Sequence, residues 1–182
     1  MRDNTIGAQV RRSNRNLVIT NAAILLALAA AALLNARYLD NFLRGPFPMS
    51  GAALAAAGDP AGLAHDYVTL QGSQAVDTGV TQIQQQVDSA SGKVTSQNTV
   101  AHYLVLRDGN RLVVVKAPNA DANQLRYTGV LVPLPAGIAA RVVTPVAAQE
   151  GASGLPFSNA MLDAATNFRA PGVMGLRLFR SV

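Results

Sequence analysis

Cysteine is absent from this 182-residue chain, and so is tryptophan. Without cysteine there is no disulfide, no thiolate nucleophile and no thiolate metal site. Five Phe and four Tyr are the only large aromatics, so a core must be built from aliphatic residues in a compact domain well short of the full length. Lysine and glutamate are nearly missing: thirteen of the fifteen basic residues are arginine and nine of the ten acids are aspartate. The two histidines, His65 and His102, have no acidic cluster beside them, whereas a zinc centre needs three or four converging ligands. No metal and no cofactor is expected. There is no phosphate loop or dinucleotide fingerprint. Gly151-Ala152-Ser153-Gly154 lacks the five-residue frame that strains a hydrolase serine outward.

The net charge of +5 is unevenly placed. Arg2, Arg11, Arg12 and Arg15 against Asp3 give +3 in the first fifteen residues, and eleven basic against nine acidic groups leave +2 for the other 167. Nucleic-acid surfaces spread their basic groups over a folded face. A basic cluster beside an apolar run sets membrane orientation instead. No nucleic-acid partner is expected.

That apolar run is Leu17–Leu34, eighteen residues without a charge and with only Thr20 and Asn21 polar. As a helix it would be roughly 27 Å long, close to the thickness of a bilayer's hydrocarbon core. Arg37 and Tyr38 follow it, suited to the headgroup region. A cleaved signal peptide would have a shorter core and small residues at both −3 and −1. The best site here, after Ala36, puts Leu34 at −3, so an uncleaved anchor is preferred. The expected organisation is a cytoplasmic basic N-terminus (1–15), a transmembrane anchor (16–36), a Pro/Gly/Ala-rich collar (37–65), an extracytoplasmic β-rich domain (66–147) and a C-terminal loop and helix (148–182). This places the protein in the cell's inner membrane with most of the chain outside the cytoplasm.

In the collar, Arg44-Gly45-Pro46 should stop the helix. Ser50 can cap a short helix to Ala57 with Gly58 as its stop, and Asp59-Pro60 can open a brief turn. Beyond it, strands are expected over 67–70, 78–87, 99–107, 110–117, 125–134 and 139–146. Asp108-Gly109 between two β-rich runs signals a tight hairpin. With Asp108-Gly109 as its two-residue loop, Val105 pairs with Leu112 and Tyr103 with Val114 on one face. Leu104 then pairs with Val113 and His102 with Val115 on the other. Both faces are largely apolar, which puts this hairpin in the interior of a sheet. The fold class expected is mainly β, a small barrel or sandwich of about five to six short strands with an N-terminal transmembrane helix. A C-terminal amphipathic helix over 159–169, capped by Ser158, carries Met161, Leu162, Ala165 and Phe168 on one face. The short apolar tail after it should pack on the domain.

Val76-Asp77-Thr78-Gly79 resembles the active-site turn of aspartic peptidases, in which two such carboxylates share a proton and activate water. The resemblance implies catalysis by Asp77 in a dimer that supplies the second carboxylate. It covers four residues. Ser73-Gln74-Ala75 departs from the apolar strand that precedes the aspartate in that family, and Tyr127-Thr128-Gly129 is a distorted version of its second element. Asp-Thr-Gly is also ordinary turn chemistry. The function expected from the chain as a whole is a non-catalytic interaction or assembly module tethered to the membrane. Its partner would be another membrane protein or complex, or a homo-oligomer. A peptidase using Asp77, or a barrel binding a small apolar ligand, are the alternatives.

Overall fold

The computed structural model describes residues 3–149, 154–166 and 168. Helix α1 (Asp3–Leu34) contains a segment, Asn14–Leu34, of mean hydropathy 2.5 that is long and apolar enough to cross a membrane, and none of it is buried against the protein. Leu17, Ile19, Leu25, Leu26 and Leu33 all point outward. Asn35 leaves the helical conformation (φ −109°, ψ 18°) and separates α1 from α2 (Ala36–Arg44). As expected from Gly45-Pro46, α2 ends at Arg44.

The collar folds against the domain. After a three-residue strand β1 (Phe47–Met49), the Ser50 hydroxyl accepts from the Ala53 amide and caps α3 (Gly51–Ala57). A 3-10 turn follows at Pro60–Gly62. Pro48 hid β1 from the sequence: proline removes a ladder donor and is confined to edges, and an edge is where β1 lies.

Among the described residues, seven strands form one mixed sheet in the order β1-β2-β6-β7-β5-β4-β3. They are β2 (Tyr67–Gln71), β3 (Gln74–Val87), β4 (Val94–Asp108), β5 (Arg111–Ala117), β6 (Arg126–Pro133) and β7 (Phe157–Asp163). β1 pairs with β2, and β5 with β7, in parallel; the other neighbours are antiparallel. The sheet is open, so among the described residues neither a barrel nor a two-sheet sandwich is formed. The cause lies in the central strands: β4, β5 and β7 are apolar on both faces and need cover on both. One face carries Leu70, Leu104, Leu106, Val113, Val115 and Leu162 under Leu54 of α3. The opposite face carries Tyr103, Val105, Leu112, Val114 and Met161 under Val142. Each fully buried Leu or Val contributes about 1.5–3 kcal/mol.

Val142 belongs to a helical run rather than the strand expected over 139–146. The run comprises α4 (Ala136–Ile138), a π-helical stretch (Ala139–Val143) and α5 (Thr144–Gln149). Ile138, Val142 and Val146 recur every fourth residue and turn one face to the sheet. Pro145, which has no N–H to give, sits just beyond the widened stretch.

The helix expected over 159–169 is likewise corrected. Residues 157–163 form β7, the central strand, whose Ala160 and Leu162 face α3 while Phe157 and Met161 face α4–α5. Two adjacent apolar residues, Met161 and Leu162, mimic a helix face but serve two faces of a strand. Ser158 caps no helix; its hydroxyl accepts from the Ala160 amide within the strand. Phe168 is buried, and Arg169 and the tail after it lie outside the described residues.

The β4–β5 hairpin closes one residue later than expected. Asp108 pairs with Arg111 and Val105 with Val114, so Gly109 and Asn110 form the loop. Gly109 has φ +59°, and among the described residues no type other than glycine has a positive φ. This is the pattern of a type II′ turn, with glycine first. The pairing moves by two residues, an even shift, so every side chain keeps its expected face. Asp108 also accepts from the Gly51 amide at 2.5 Å, tying α3 to the hairpin.

Candidate interaction surface

The Asp77-Thr78-Gly79 sequence lies in β3 where its pairing with β4 is interrupted between Asp77 and Thr81. The exposed Asp77 carboxylate accepts from the Gly79 amide at 3.0 Å. The Thr78 hydroxyl donates to the Tyr103 carbonyl and accepts from the Val80 amide. These are the bonds of a bulge that adds residues to β3 and bends it. Tyr127, Thr128 and Gly129 lie in β6, several strands away.

His65 and His102 are in different settings. His65 stacks on Phe47 with centroids 3.7 Å apart, and its Nδ1 is 3.5 Å from the Asp40 carboxylate. His102 is in β4 opposite Ala117. Among the described residues no group of three or more His, Asp or Glu could hold a metal ion. An open cleft of about 570 Å³ beside the hairpin turn is lined by Ser50, Asp108, Arg111 and Leu155, among others.

Beyond the bulge, β3 and β4 leave the body of the sheet as a two-stranded arm. Every residue from 81 to 100 is exposed, and Ala101 is the first buried residue of β4. By strand rise the arm reaches roughly 20–25 Å from the core. Its tip is closed by Asp88, whose carboxylate accepts from the Ala90 and Ser91 amides at 2.7 and 3.0 Å. Those two amide bonds hold the Asp88 carboxyl below its ordinary value. Beside the backbone ladder, cross-strand bonds made by side chains of the arm are Gln85 to Gln97 at 3.3 Å, Ser96 to the Gln86 side chain, and Thr95 to the Gln86 carbonyl.

Composition makes this arm unusual. Between Thr78 and Ala101 the only charges are Asp88 and Lys93, both at the tip. Ile83, Val87 and Val94 are about half exposed. An isolated two-stranded ribbon is at best marginally stable, and exposed edges are ordinarily blunted with charges, proline or short length. The fourteen-residue β3 uses a bulge at its base and none of the other devices from Thr81 to Val87. Among the described residues no strand pairs with its outer side.

A second feature was invisible in the sequence. Asn41 of α2 is fully buried. Its Oδ1 accepts from the amides of Asp66 and Tyr67, both at 3.0 Å, and its Nδ2 donates to the Arg37 carbonyl at 2.8 Å. Phe168 stacks on Tyr67 at 4.5 Å and meets Tyr38 at 5.4 Å. The helix continuing the apolar segment is therefore fixed to the first long strand of the sheet. The arm had a readable signal, an uncharged amide-rich stretch with little apolar alternation; Asn41 had none. Comparison of the chain with protein-family models, curated proteins and solved structures returned no match.

Proposed function

We propose that the protein is a single-pass, membrane-anchored, non-catalytic interaction or assembly module. Its N-terminus lies in the cytoplasm and its β-domain outside. The β3–β4 arm is its contact surface. The observation that carries this reading is the arm itself: exposed over 81–100, uncharged below its tip, and bearing an edge that no strand among the described residues pairs with. An anchor that confines such a domain to two dimensions raises its effective concentration near a membrane partner. The buried Asn41 supports the same reading, since it fixes α2, the helix that follows the anchor, to the sheet.

The test uses the full chain, tagged at the C-terminus and solubilised from membranes. Replacing residues 82–99 by an Asn-Gly turn should leave the domain folded, because none of those side chains is buried, and should abolish co-purification of partners. Unchanged partners would remove the arm from the function. Asp77→Asn should leave those partners in place, and neither wild type nor variant should cleave peptides at acidic or neutral pH. Cleavage by wild type that Asp77→Asn eliminates would replace this reading with a peptidase.

A further inference from the structure

We infer that the outer edge of β3 pairs antiparallel with the same edge of a second copy, about a two-fold axis through Gln85. The inference rests on the arm as contact surface and goes further by naming its occupant.

Three observations lead to a second copy. First, the edge is continuous. Between Gln82 and Ile83, and again between Gln86 and Val87, the pairing skips one residue of β4 (Val100, then Thr95). Both irregularities belong to the inner strand, and β3 runs regularly from Thr81 to Val87 with its outer amides and carbonyls in sequence. Second, nothing in Thr78–Val87 repels a copy of itself, because no residue there is charged. Third, the side chains are complementary to themselves in one antiparallel register. With Gln85 opposite Gln85 of the second copy, Ile83 meets Val87, Val87 meets Ile83, and Gln84 and Gln86 meet each other. Apolar residues then face apolar residues on the side of Ile83, Gln85 and Val87. Amides face amides on the other side. Each primary amide has both donor and acceptor, so identical amides can satisfy one another across a two-fold axis; within the arm, the Gln85 amide already donates to the Gln97 amide oxygen. Moving the centre to Gln84 pairs Ile83 with Gln85 and Thr81 with Val87, and the match is lost.

The absence of cysteine makes the register directly testable with single cysteines in the full chain, in native membranes under a mild oxidant. Directly opposed antiparallel residues have Cα atoms about 4.5–5.5 Å apart, within disulfide range. Gln85→Cys should give a species of twice the mass. Ile83→Cys and Val87→Cys should each give little alone and a strong band when co-expressed. Gln85→Lys, which sets two ammonium groups against each other on the axis, should dissociate the dimer measured by light scattering in detergent. Its circular dichroism should be unchanged, because the site is exposed. A monomeric wild type, or cross-linking independent of position, overturns the inference. If Gln85→Cys fails to cross-link while replacement of 82–99 still removes partners, a different protein occupies the edge and the arm keeps its proposed role. If that replacement changes nothing either, both are lost.

Discussion

Asn41 satisfies two strand amides at the start of β2 that would otherwise be buried next to α2. Asn41→Ala leaves both without that acceptor, and a buried unsatisfied group costs about 1–3 kcal/mol. Thermal unfolding of the full chain in detergent should show a loss of that size, and Asn41→Asp should restore part of it by keeping an acceptor. Gly109→Val should destabilise by about 1 kcal/mol or more, since a β-branched residue resists the +59° φ of the hairpin; an unchanged midpoint would contradict the turn. Gly109 was readable because Asp-Gly between β-rich runs has one common use. Gly129 was not: a Cβ there would collide with the backbone of Asp163, a contact created by β7 arriving from thirty residues downstream. Asn41 was unreadable for the same reason, since both amides it serves lie beyond β1, α3 and the 3-10 turn.

At the scale of elements, hydrophobic alternation decided what could be read. The β4–β5 hairpin and the faces of its side chains were legible because a two-residue register error preserves parity. The helical run 136–149 was not, because Val142, Val143, Thr144 and Val146 favour strands one by one. Its fourth-residue spacing prevails only once a sheet face is available to cover. β7 failed in the opposite sense, because a doubly buried strand has no alternation to display. The arm tip gives a pH prediction. Two amides stabilise the ionised Asp88 carboxylate, so its folded pKa lies below the ordinary aspartate value. The support it gives the tip is present at and above ordinary carboxylate pH and is lost as pH falls through that lowered value. The amide proton shifts of Ala90 and Ser91 should titrate together with a midpoint below that of an unstructured aspartate. Asp88→Asn should flatten both curves; a midpoint at the ordinary value would contradict the bonds.

For the whole molecule, the composition marked an N-terminal segment able to cross a bilayer, and the fold has such a helix. Strand order was out of reach, because β7, the last of the described strands, enters the middle of the sheet and no local pattern records that. An enzyme reporter active only outside the cytoplasm, fused after Val182, should be active, and the mature protein should keep Leu17–Leu34. A soluble product beginning at Arg37 would show a cleaved signal instead. The packing of α2, β1 and α3 also makes a statement about the folding unit. A fragment of 36–182 should unfold cooperatively, whereas 66–182 loses Asn41, the β1 edge and Leu54, and should be less stable by several kcal/mol. Equal stability of the two would mean the collar is a passive spacer.

β4 is a single strand of fifteen residues, bulged at Thr95 and Val100, and its inner half lies between β3 and β5 while its outer half forms the arm. Tension applied at the tip therefore enters along a strand axis and is shared by the ladder bonds on both flanks, a shear geometry rather than an unzipping one. At the other end, α2 joins the sheet through the Asn41 hydrogen bonds and through Phe168, which stacks on Tyr67 of β2 and meets Tyr38 of α2. In the proposed role, a pull on the arm would therefore be carried across the width of the sheet to the apolar helix, and the domain would act as a mechanical link between a partner on the arm and the anchor.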